Sequence, residues 1–231
     1  MKLRIKREHS TQMSEALLTA AVLSLSGGLQ DAYTYLCRGG VFANAQTGNI
    51  VLLSVELLEG NLSRAFHYLI PLLFFALGVM VAEEIREYFF QGRVGLHWRQ
   101  IVVMLEIALL FLVALLPERM NMLANGLVSF SCAMQVQSFR KVDGFGFSST
   151  MCIGNLRSGM EAFCIWRRTG NSRVGKKAGE YLCIILLFAL GAGLGGVAAA
   201  RMGLHAILLS CVLLLICFLL MFLGENQGNR D

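Results

Sequence analysis

Residues 41–60 read VFANAQTGNIVLLSVELLEG, and residues 147–167 read FSSTMCIGNLRSGMEAFCIWR. Each stretch begins polar and glycine-containing, then turns into an amphipathic helical pattern. As a helix, residues 50–58 span only about 13 Å, less than half of a ~30 Å hydrocarbon core. Longer apolar runs surround the two stretches, at residues 16–29, 66–82, 101–116, 122–136, 181–200 and 204–223. Each is near the ~20 residues a membrane-crossing helix needs. The two polar stretches therefore read as interrupted or re-entrant helices among six spans.

Composition supports a membrane setting. Of 231 residues, 56% are hydrophobic and 15% charged, where a soluble domain carries roughly 25% charged residues. Too few polar groups remain to cover a soluble surface. Disorder, collagen and a nucleic-acid-binding arm are excluded, because the basic residues form only short loop clusters. The seven cysteines include no CxxC and lie mostly in apolar runs, so no disulfide framework is expected. The four histidines are scattered without metal-ligand spacing. No metal, no cofactor and no catalytic residues are expected, and the chain does not read as an enzyme.

The chain also repeats itself. Phe75-Ala76-Leu77-Gly78 recurs as Phe188-Ala189-Leu190-Gly191, and Gly48-Asn49 as Gly154-Asn155. The order helix, polar stretch, helix, helix occurs twice. The expected fold is all-α, a polytopic membrane helix bundle of two inverted three-span repeats. Each repeat carries one short interrupted or re-entrant polar helix. The expected division is 1–14 as a basic cytoplasmic N-terminus, 15–117 and 118–223 as the two repeats, and 224–231 as a cytoplasmic tail. The charged start before an apolar run also describes a signal peptide. The absence of a clean small-x-small site in residues 27–33 favours a retained helix.

Positive charge sets orientation. With six spans and the N-terminus inside, only Arg38, Arg64, Arg119 and Arg201 of the 20 Lys and Arg residues lie outside. Eight spans would bury Arg157 in a helix and move more of the charge outside. Both termini are therefore expected in the cytoplasm.

Inverted repeats with interrupted helices place a solute site near the midplane. Half-helix N-termini offer free N–H groups there. The candidate binding residues are Asp31, Asn44, Gln46, Thr47, Gly48, Asn49, Gly154 and Asn155. Glu56, Glu106 and Glu161 are candidate coupling carboxylates, because ionisable groups inside a membrane are costly. For Glu56 and Glu161 a plain interfacial position is the competing reading, and for Glu106 it is snorkelling. Gly27-Gly28 is expected to weaken the first helix just before Asp31. The small-residue pattern at Gly78, Gly191 and Gly195 reads as helix packing. A transporter or channel for an unidentified small solute is the expected function; the alternative is a closed scaffold or sensor bundle. Expected partners are the lipid bilayer and that solute, with no nucleic acid. A homo-oligomer is also expected, since a second copy would shield polar parts of so small a chain.

GGLQDAYTYL, then GGVFANAQTGNIVLL, then LLFFALG, resembles the YoaK-type bacterial membrane proteins, a family of unknown function. Asp31, Gly40, Phe42, Asn44, Thr47, Gly48 and Asn49 match its pattern, and the resemblance runs over about residues 18–222. The family's second-half element is closer to T-G-T; here it reads Ile153-Gly154-Asn155. The resemblance implies the bacterial inner membrane and supplies no substrate.

Overall fold

The apolar runs become helices in a computed structural model that describes residues 17–91, 98–142, 145–150 and 152–228. The helices are α1 (Leu17–Cys37), α2 (Gln46–Leu58), α3 (Leu62–Gln91), α4 (Trp98–Leu115), α5 (Asn121–Ser138), α6 (Cys152–Thr169), α7 (Ser172–Met202) and α8 (Leu208–Gly228). Short 3-10 turns at Glu118–Met120 and Gly203–Ile207 lead into α5 and α8. A two-residue antiparallel ladder, Lys141–Val142 with Phe145–Gly146, precedes α6. The expected basic N-terminus at 1–14 lies outside the described residues, as does the end of the tail at 229–231.

Among the described residues, three segments are long and apolar enough to cross a membrane: Leu62–Phe89, Trp98–Leu115 and Ser172–Phe222, the last running through α7 and α8. Their outward faces expose Leu73, Leu77, Met80, Leu186, Leu190 and Leu194. Such a face is stable against lipid and not against water. The chain is a helical membrane bundle. α1 and α5 carry a weaker hydropathy signal because they are central. Ser24, Ser26, Gln30 and Thr34 on α1 are buried, as are Asn125, Ser129, Ser131 and Gln135 on α5.

α1 packs on α7 and α8, and α5 packs on α3 and α4; α2 lies on α3, α6 on α7, and α4 on α8. Exchanging α1–α4 with α5–α8 returns the same set of pairs. The closest approaches obey the same exchange. A Cβ on Gly191 of α7 would fall 2.0 Å from the Leu25 carbonyl oxygen of α1. A Cβ on Gly78 of α3 would fall 2.5 Å from the Phe130 carbonyl oxygen of α5. Only glycine lets these backbones meet.

Two expectations change. α1 runs unbroken through Gly27-Gly28. A Cβ on Gly28 would fall 2.0 Å from the Phe188 carbonyl oxygen, so this glycine serves the crossing with α7 and does not break the helix. α6 is 18 residues long, hence about 27 Å, and not a short half-helix. The turn after α1 does need glycine: Gly39 and Gly40 have φ of 90° and 80°.

Arg38 is a further correction. Counted from sequence as an outside loop charge, it is fully buried. Its guanidinium donates to Tyr33 Oη (2.7 Å), Asn121 Oδ1 (3.0 Å) and the carbonyls of Val113 (2.8 Å) and Pro117 (3.4 Å). Carbonyls at the C-terminal end of α4 carry the partial negative charge that holds this cation. Arg38 thereby ties the end of α1 to the α4–α5 corner.

Candidate functional site

The polar stretches are shaped by two asparagines. Asn49 Oδ1 accepts from the Phe42 N–H (3.2 Å), and its Nδ2 donates to the Phe42 carbonyl (2.6 Å) and to Gln46 Oε1 (2.8 Å). Asn155 does the same to Ser148: the Ser148 N–H donates to Oδ1 (3.4 Å), and Nδ2 donates to the carbonyl (2.6 Å). An amide side chain that both donates and accepts can replace a backbone partner. Each asparagine folds the preceding strand-like segment back onto the first turn of its helix. Both are buried and lie off the cleft described next.

Asp31 supports the first loop from the other side. It is 7% exposed, and its Oδ1 accepts from the Asn44 N–H at 2.7 Å. Asn44 Nδ2 donates to the Gly27 carbonyl (3.2 Å), while its buried Oδ1 has no partner. Gln46 Nε2 donates to the Ala43 carbonyl (2.7 Å) and to Ser129 Oγ of α5 (3.4 Å). The carboxylate of Asp31 therefore occupies the position beside the α2 N-terminus that an anionic ligand would take.

These groups open onto a cleft of about 890 Å³. Asp31, Asn44, Gln46 and Thr47 line one side, with Thr150, Cys152 and Gly154 opposite. The N-terminal turns of α2 and α6, at Gln46 and Cys152, thus face one space. A Cβ on Gly154 would meet nothing within 4 Å, whereas one on Gly48 would come 3.1 Å from the Phe42 ring. Gly154 faces open space, and Gly48 makes room for an aromatic side chain. Tyr35 and Phe42 stack with centroids 4.8 Å apart. With Phe75 and Phe188 they form the aromatic part of the wall.

The three glutamates lie elsewhere. Glu56 is buried on α2 and pairs with Arg64 at 3.4 Å. Glu161 is exposed on α6, beside a shallow depression that includes Arg173 and Lys177. Glu106 is fully buried on α4, away from the cleft lining. Among the candidates, then, Asp31, Asn44, Gln46, Thr47 and Gly154 share one cavity. Gly48, Asn49 and Asn155 are not in its lining; Gly48 packs on Phe42, and the two asparagines brace the segments before α2 and α6. Sequence reasoning missed the aromatic wall. The repeated FALG element contains both Phe75 and Phe188, so the signal was present but read only as repetition. No cluster of three or more metal-ligating side chains occurs among the described residues.

Comparison with known proteins agrees with the resemblance read from the motifs. Over 147 residues, 61% of this chain, the sequence is 29% identical to the UPF0700 transmembrane protein YoaK of Bacillus subtilis (strain 168). The match covers 64% of that protein's length. No solved structure matches the chain. A family described only as a protein of unknown function, DUF1275, matches residues 19–220, and the chain belongs to that family.

Proposed function

We propose that this protein is an inner-membrane transporter or channel for a small solute, with its site in the cleft between the starts of α2 and α6. The observation that carries the reading is that one cleft is lined by the N-terminal turns of both α2 and α6 together with a nearly buried carboxylate, Asp31. In this reading the two halves are inverted three-span repeats, both termini face the cytoplasm, and α2 and α6 are the polar elements of each half. The packing pairs that survive exchange of the halves support it. The protein carries out no covalent chemistry, and its partners are the bilayer, its solute and a second copy of itself.

The lining also suggests the kind of solute. Its polar side presents the Asp31 carboxylate with Gln46, Thr47 and Thr150, and much of the remainder is aromatic and apolar. A small solute with a donor-bearing or cationic head and an apolar body fits this arrangement, with the rings of Tyr35, Phe42, Phe75 and Phe188 available to the cation. The alternative, a closed scaffold bundle, has no use for a cleft that reaches Thr47.

The test is uptake by sealed vesicles containing the purified chain, screened with organic amines, neutral analogues and organic anions. Flux of an amine that falls at least about tenfold in Asp31→Asn, with the variant still folded and membrane-inserted, is the expected result. Absence of flux for every class, or equal flux in the variant, would overturn the proposal.

A further inference from the structure

Glu106 lies on the buried face of α4 with Val103, Leu110 and Val113. The spacings of three and four residues put all four on one stripe. Neither carboxyl oxygen has a hydrogen-bond partner. The helices packed firmly on α4 are α5 and α8. The titratable groups of these helices in the same buried cluster as Val103, Leu110 and Val113 are the thiols of Cys132 and Cys217. Neither His205 in the 3-10 turn nor a charged side chain of α3 bonds to Glu106, and no cation pairs with it among the described residues.

An ionised carboxylate with no partner in such a place is far costlier than its protonated form. A hard metal ion would need several oxygen ligands, and the titratable neighbours here are thiols. A proton is the occupant that this site accepts. A separate run of hydrogen bonds lies on the helices that surround α1. Cys132 Sγ donates to Gln30 Oε1 at 2.7 Å, and Gln30 Nε2 donates to Ser26 Oγ at 3.0 Å. Ser26 Oγ meets Ser210 Oγ of α8 at 2.8 Å. A polar seam thus joins α5, α1 and α8, with Gln30 next to Asp31 in the chain.

We propose that Glu106 is a reversible proton-binding site and that its loading is coupled to the cleft through the packing of α4 on α5, the helix that carries the Cys132–Gln30 bond, with the proton as coupling ion. The step is R–COO⁻ + H⁺ ⇌ R–COOH, with no other bond made or broken. Glu106 is protonated in the packed arrangement seen here, and it releases its proton when the α4–α5 face opens to water. The coupling clause rests on the transport reading above; the proton site itself does not.

The test treats the full chain in lipid vesicles with dicyclohexylcarbodiimide, an apolar reagent for protonated carboxyls, across mildly acidic to alkaline pH, and maps adducts by mass spectrometry. The expected result is an adduct at Glu106 that fades as pH rises, absent from exposed Glu161 and lost in Glu106→Gln. No adduct at any pH, or labelling that ignores pH, would overturn the proton site. If Glu106→Gln fails to fold, the wild-type pH profile decides alone. Labelling without solute flux leaves the proton site standing and sinks the transport reading. Flux with an unchanged pH profile in folded Glu106→Gln sinks the coupling and leaves transport standing.

Discussion

Asn49 and Asn155 are side chains acting as backbone. Each supplies the donor and the acceptor that the extended segment before its helix lacks, and each is buried. Leaving such backbone groups unpaired costs about 1–3 kcal/mol each. Asn49→Ala is therefore expected to destabilise the purified protein by roughly 2–4 kcal/mol. Thermal unfolding in detergent reads this as a clear drop in midpoint. Asn155→Ala should cost less, because Asn49 also donates to Gln46 and Asn155 lacks an equivalent bond. A larger loss in Asn155→Ala would contradict the assignment. Arg38 teaches the complementary lesson. Its four hydrogen bonds hold a corner of the bundle, so a charge adjacent to a predicted loop is not always a loop charge.

At the scale of helices, the crossings depend on glycine. α1 and α7 approach so closely that a Cβ on Gly28 or Gly191 would strike backbone of the partner helix, while a Cβ on Gly193 would meet nothing within 4 Å. Backbone cannot swing aside as a side chain can, so insertion forces the helices apart. Gly191→Leu should cost at least the ~1–3 kcal/mol of a core overpacking. Gly193→Leu should behave as wild type, its new side chain pointing outward. Yield of folded protein after extraction, followed by thermal scanning, compares the two. Equal behaviour would mean that the crossing is looser than described. The same pair of helices carries Asp31 and Phe188 into the cleft, so the crossing also sets the width of the site.

For the whole molecule, the open matter is how the bundle lies in the membrane. Three segments satisfy length and hydropathy alone; the six-span arrangement adds α1, α5 and the separation of α7 from α8. Single cysteines at Asn61 and Ser172, in a background with the native cysteines replaced, separate the arrangements. With six spans and a cytoplasmic N-terminus, an impermeant maleimide added outside should label only the cysteine at position 61. Labelling only at 172 would reverse the orientation, and labelling at neither site would favour eight spans. Position 61 is exposed at the α2–α3 turn and position 172 at the start of α7, so each is reachable if its side of the membrane is correct.

The sequence alone determined that this is a helical membrane protein of a YoaK-like family, and it named the polar residues that were candidates for a site. Those properties are local or compositional: hydropathy, spacing and motif are additive along the chain. The tertiary structure alone decided which candidates share a space. It brought Asp31, Asn44 and Thr47 opposite Gly154, turned Asn49 and Asn155 to bracing loops, added Phe75 and Phe188 to the wall, and sealed Glu106 and Arg38 in the interior. None of this could be read from spacing, because it depends on which faces of α1, α4, α5 and α7 meet. That in turn is set by a few close backbone approaches between residues far apart in the chain.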